Sequence, residues 1–119
     1  MNTRAILSTW HKYTPYGGEL YKPILNFFLS NLKKYKDEYD QLYLLDSNWG
    51  IPESNDYKVI KVNPSLRYYD AYKEVLPQIK EDLVLFMDND TLVYKSGIIK
   101  RTFDLLEEEK NEENKTNKE

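Results

Sequence analysis

Two carboxylates, Asp88 and Asp90, stand one residue apart directly after the apolar run Leu83-Val84-Leu85-Phe86-Met87. Held ionised side by side they repel, and like charges at short range raise one another's pKa. A bound divalent cation removes that cost. Hard oxygen ligands suit Mg²⁺ or Mn²⁺, which complete their shells with water and substrate phosphates instead of a full protein cage. An ion held this way neutralises charge developing on a departing diphosphate. The competing reading is a solvated turn, because Asp and Asn are common after strands. The apolar run in front of the pair favours the metal reading.

The rest of the composition narrows the chemistry. The absence of cysteine excludes disulfides, thiolate metal sites and a thiol nucleophile, and with His11 the only histidine a multi-histidine zinc site is excluded too. A net charge of -3, from 17 basic and 20 acidic residues, gives no electrostatic footprint for a polyanion. The densest basic stretch, Lys33 to Lys36, is followed at once by Asp37 and Glu38, so nucleic acid is not expected as a partner. No apolar run reaches the ~20 residues that span a bilayer, and the N-terminus lacks the pattern of a signal peptide. The expectation is therefore a cytoplasmic location with no membrane span. Eleven tyrosines read as an amphipathic rim around the core.

These carboxylates need a scaffold, and 119 residues allow one domain with a real core. Ala5 to Thr9, continuing to Trp10, reads as a buried strand running into the loop Thr14-Pro15-Tyr16-Gly17-Gly18. From Glu19 the spacing becomes helical, with Leu20, Ile24, Phe27, Phe28 and Leu32 at intervals of three and four. Leu42 to Leu45 and Tyr57 to Val62 are the second and third strands, closed by Asp46-Ser47-Asn48 and Asn63-Pro64. Ser65 is the expected N-cap of a helix carrying Leu66, Tyr69, Tyr72, Val75, Leu76 and Ile79, which Pro77 should kink or shorten. The fourth strand is Leu83 to Met87, apolar on both faces as in a covered parallel sheet. Ser96 is the expected cap of a last helix through Leu106. Residues 107–119 carry no apolar side chain and read as a frayed helix end and a disordered tail. The alternation predicts an α/β domain over residues 1–106: a Rossmann-like, mostly parallel sheet with helices on both faces. Ligands in such sheets bind beyond the carboxyl ends of the strands. The polar clusters after the strands would then share one rim.

Over roughly Arg4 to Leu106 the sequence resembles the nucleotide-binding half of the GT-A glycosyltransferases. The resemblance rests on Ala5 to Trp10 as first strand, Asp46-Ser47-Asn48 after the second, and Leu83 to Asp90 as the strand carrying D-x-D. It implies Ser8, Thr9 and Asp46 as contacts to the base and ribose of a nucleotide. It implies Asp90 as direct ligand of Mn²⁺ or Mg²⁺, and Asp88 as ribose or water-mediated partner. The implied activity is metal-dependent sugar transfer from a UDP- or GDP-sugar. The Arg-Asn pairing often seen in bacterial members before the fourth strand is absent, so both Arg67 and Lys73 stay candidates for the diphosphate. Family members place the acceptor site and the usual catalytic carboxylate in a second half. This chain reads as a truncated GT-A fold that holds the donor-binding portion, names no catalytic base, and associates with itself or with a partner chain supplying the rest.

Two other readings use the same residues. A non-catalytic nucleotide-binding or assembly module needs the rim and no chemistry. A haloacid-dehalogenase-like phosphatase also carries D-x-D after an apolar strand, followed by a spaced Thr-Leu. Here Asp88-Asn89-Asp90-Thr91-Leu92 is one residue short of that spacing. Among weaker candidates, His11 and Lys12 follow the first strand and could touch a phosphate or simply lie on the surface. Trp10 and Trp49 could stack on a base, although packing on the sheet rim is the stronger expectation. Gly17-Gly18 reads as a turn, since no further glycine spacing follows.

Overall fold

The computed structural model describes residues 2–10 and 21–117. The Thr14 to Gly18 loop, His11, Lys12, Glu19 and Leu20 lie outside the described residues. Four strands form one sheet: β1 (Arg4–Trp10), β2 (Gln41–Asp46), β3 (Lys58–Lys61) and β4 (Leu83–Phe86), in the order β3-β2-β1-β4 and parallel throughout. The helices are α1 (Tyr21–Lys33), α2 (Tyr68–Val75) and α3 (Ile98–Asn117). The class is α/β, and the strand order is that of the first four strands of a doubly wound sheet. None of these helices is long and apolar enough to cross a membrane.

Side-chain alternation along β1 and β2 divides the core between the two faces of the sheet. Ile6, Trp10, Leu42 and Leu44 meet Leu25, Phe28 and Leu32 of α1 and Ile99 and Phe103 of α3 on one face. Ala5, Leu7, Tyr43 and Leu45 meet Ala71, Tyr72 and Val75 of α2 on the other. β1 is paired on both edges and buried along its length apart from Arg4. That explains why Ala5-Ile6-Leu7 and Leu42 to Leu45 are continuous apolar runs. β3 lies at an edge, with Val59 and Ile60 half-buried on opposite faces and both flanking lysines exposed.

The helix ends depart from expectation. α2 starts at Tyr68 after Arg67 with no side-chain cap, because Ser65 is held in a turn whose amide and hydroxyl both donate to Asn63 Oδ1. Pro77 lies in a 3₁₀ turn, Leu76–Gln78, that ends the helix as its missing amide requires. Nor does the last helix fray after Leu106: α3 continues to Asn117. Glu and Lys are good helix formers and dominate this stretch, so the backbone can stay helical without burying an apolar face. Its base is anchored by Arg4, which bonds Asp104 at 2.7 Å, approaches Glu107 at 3.6 Å and lies over the Phe103 ring. Hydrogen bonds from Lys100 and Arg4 hold the Asp104 carboxyl below its ordinary range.

On the α2 face the Tyr43 hydroxyl donates to Glu81 Oε1 at 2.7 Å. Burial first, then the hydrogen bond and charge of Glu81, push its pKa from 10.0 up to about 12. A raised folded-state value means stability that is complete below the unfolded pKa and lost as pH rises through the folded one. Between pH 10.0 and about 12 the chain should therefore lose stability, and Tyr43→Phe should flatten that part of the profile. Urea unfolding at stepped alkaline pH measures both curves.

Candidate functional site

β1 leads to β2 and then β3 on one side, whereas β4 pairs with β1 on the other. The direction of winding reverses between β1 and β4, and the crevice of such a sheet opens there, beyond the carboxyl ends. Ser8, Thr9 and Trp10 end β1, Asp46 and Ser47 end β2, and Asp88 follows β4 by two residues. The β1–β4 ladder extends to Met87, whose N–H donates to the Leu7 carbonyl at 2.8 Å. Asp88 is thus the first residue to leave the sheet at the reversal.

The end of β1 is unusually polar for a strand covered on both faces. Ser8 and Ser47 are fully buried and Thr9 is 1% exposed. The hydroxyls of all three, and the indole N–H of Trp10, have no hydrogen-bond partner among the described residues. Alternation puts Ser8 and Trp10 on the α1 face, and Thr9 and Ser47 on the α2 face. Buried polar groups without partners cost about 1–3 kcal/mol each, and native chains keep few of them. Four such groups within two residues of two neighbouring strand ends are what a polar ligand seated at those ends would satisfy. Trp10 is 2% exposed and packs edge-on to Phe28, with ring centroids 5.5 Å apart. Packing is therefore its role, and only its N–H remains for a ligand.

Asp46 is also buried, and both its oxygens are engaged. Oδ1 accepts the Trp49 N–H at 2.7 Å and Oδ2 the Ile51 N–H at 2.8 Å. The chain from Ser47 to Ile51 wraps around this carboxylate, with Asn48 at φ 73 and Gly50 at φ 71. Both lie in the left-handed region, which glycine and asparagine enter most readily. The first duty of Asp46 is thus to shape the loop at the rim.

Asp88 and Asp90 are exposed, the state a carboxylate needs to meet a metal through water and phosphate. Among the described residues no three of His, Cys, Asp or Glu gather into a metal cage. Asn89, Asp90 and Thr91 border a depression of about 310 Å³ against Pro23, Ile24 and Phe27 of α1.

Two buried polar residues that sequence reasoning missed hold the segment after D-x-D. Asn31 of α1 donates from Nδ2 to the Val93 carbonyl at 2.8 Å and accepts the Val93 N–H at Oδ1 at 2.9 Å, as a neighbouring strand would. Glu38, in the 3₁₀ turn Lys36–Glu38, accepts the Gly97 N–H at 3.1 Å and the Lys100 N–H at 2.9 Å. It satisfies the N-terminus of α3 in place of the expected Ser96, and a carboxylate also suits the positive end of the helix dipole. Asn31 carried a signal: it sits three residues after Phe28 and beside Leu32, on the stripe that should be apolar. Glu38 carried none, because its partners lie 59 and 62 residues away.

A cavity of about 410 Å³ lies at the opposite end of the sheet, between Lys33, Lys36, Asp40, Gln41 and Asp56. It touches none of the rim residues. Comparison with known proteins finds no matching family model, no matching curated protein and no matching solved structure.

The two kinds of buried polar residue should respond oppositely to truncation. Asn31→Ala leaves both Val93 backbone groups unpaired and should cost about 2 kcal/mol, with faster amide exchange at Val93. Ser47→Ala removes a hydroxyl that has no partner among the described residues and should leave stability unchanged or raise it by up to about 1 kcal/mol. Chemical denaturation of the two variants beside the parent chain tests the contrast.

Proposed function

We propose that this chain binds a nucleoside diphosphate sugar together with Mn²⁺ or Mg²⁺ at the rim between β1 and β4, as the donor-binding part of a sugar-transferring enzyme. The observation that carries the reading is the coincidence of two features at the reversal of winding. Unpartnered buried hydroxyls end β1 and β2, and an exposed D-x-D pair leaves β4 beside them. Hydroxyls of this kind suit a base or ribose, which offers both donors and acceptors. The carboxylate pair suits a divalent ion shared with phosphate oxygens.

Asp90 and Asp88 would hold the metal, and the metal would supply charge neutralisation on the leaving diphosphate. Ser8, Thr9 and Ser47 would orient the nucleoside. Asp46 would act on it indirectly, through the loop its carboxylate holds. Asn31 fixes Val93 and Glu38 fixes the start of α3, so the segment carrying Asp90 is tied at its far end and pre-positioned. Arg67, exposed at the uncapped start of α2, and Lys73, exposed further along the same helix, both remain candidates for the diphosphate.

Metal and nucleotide share charge at this site, so each should raise the other's affinity. Calorimetry with UDP and GDP should show binding that strengthens at least about tenfold with Mn²⁺ and reverts when a chelator is added. Asp90→Ala should abolish that dependence, and Ser8→Ala should weaken binding without lowering stability. Affinity unmoved by the chelator would overturn the reading. Phosphoester hydrolysis lost in Asp88→Asn, with an aspartyl phosphate formed at Asp88 in the parent, would assign the site to a phosphatase instead.

A further inference from the structure

We infer that a second copy of this chain docks on the free edge of β4, across a twofold axis that joins the two sheets. The two edges of the sheet are built differently. β3 reads Lys-Val-Ile-Lys with both lysines exposed, a device that discourages strand addition. β4 reads Leu-Val-Leu-Phe, carries no charge, and among the described residues pairs only with β1. The N–H groups of Leu83 and Met87 donate to Thr3 and Leu7 on the β1 side. The alternate residues Val84 and Phe86 therefore direct their N–H and C=O groups to the open side.

The surface beside this edge is apolar. Phe86 is 47% exposed, Leu92 53%, Tyr94 80% and Leu105 45%. A groove of about 240 Å³ runs between β4 and α3, lined by Leu85, Leu92, Tyr94, Ile98 and Thr102 among others. A largely apolar groove beside an unpaired strand marks an interaction site.

Charge complementarity selects a second copy as the occupant. On α3, Ile98, Thr102 and Leu105 form a stripe at helical spacing, with exposed Glu108 three residues after it; exposed Lys95 lies in the segment that leads into the helix through Ser96 and Gly97. A stripe basic at one end and acidic at the other complements itself in antiparallel order. With the axis between Arg101 and Thr102, Ile98 faces Leu105 of the second copy and Lys95 faces its Glu108, each contact occurring twice by symmetry. An axis through Leu85 likewise lets Val84 and Phe86 exchange backbone hydrogen bonds with Phe86 and Val84 of the second copy. The two requirements agree, because Leu85 lines the same groove as Ile98 and Thr102. The result is one continuous sheet through two molecules, independent of what binds at the rim.

Sedimentation equilibrium of the full chain from micromolar to millimolar concentration is the test. The chain should dimerise, and Leu105→Glu should weaken the dimer by at least about tenfold. Lys95→Glu and Glu108→Lys should each weaken it, whereas the double exchange should restore affinity, because each charge again meets its opposite. All three positions are exposed, and circular dichroism checks that every variant stays folded. A monomer across the whole range, a dimer indifferent to Leu105→Glu, or a double exchange no tighter than the single variants would overturn the proposal.

Discussion

Backbone pairing along β1 governs the arrangement of the other elements. A strand buried on both faces has no water for its N–H and C=O groups, so both edges must be occupied by neighbouring strands. β2 takes one edge from Ala5 to Trp10 and β4 the other from Arg4 to Leu7. β4 stops pairing short of the end of β1, and the polar residues Ser8 and Thr9 fall in the stretch beyond its last paired position. The reversal of winding, the opening beside it and the buried hydroxyls at its floor all follow from that one strand having two unequal neighbours.

The polar residues of the site divide into those that hold and those that are held in reserve. Asp46, Asn31 and Glu38 are buried, and each spends its side chain on two backbone groups, in the loop at the rim, in the segment after β4 or at the start of α3. Ser8, Thr9 and Ser47 are equally buried and spend theirs on none among the described residues. The first group stabilises the fold, whereas the second costs stability in the isolated chain. Residues that lower stability without shaping the backbone are characteristic of binding sites. This contrast is a stronger pointer to the rim than cavity size, since a cavity of about 410 Å³ lies at the other end of the sheet.

What the sequence determined by itself was set by short-range physics. The change from period two to period 3.6 located all four strands and three helices, and continuous apolar runs marked β1 and β2 as covered strands; the same rule read β4 as covered, yet it is an edge strand in which only Leu83 is buried and Phe86 is 47% exposed. The placement of Asp46 and Asp88 at strand ends came from the same pattern. Composition, and not propensity, suggested a tail at residues 107–117; the lack of apolar side chains says nothing against a helix of Glu and Lys that satisfies its own backbone.

Only tertiary structure could decide the rest, because it depends on which distant groups meet. That Glu38 rather than Ser96 ends up at the start of α3, or that Asn31 imitates a strand for Val93, rests on contacts across about sixty residues, and no local rule specifies these. Asp46 looked free for a ligand because its partners, Trp49 and Ile51, reach it only through the left-handed turns at Asn48 and Gly50. Strand order is likewise invisible in the pattern: the same four runs could pair in several ways. The choice of β1 as the shared neighbour of β2 and β4 is made by burial, since β1 and β2 take the two inner positions while the lysine-flanked β3 is left at an edge.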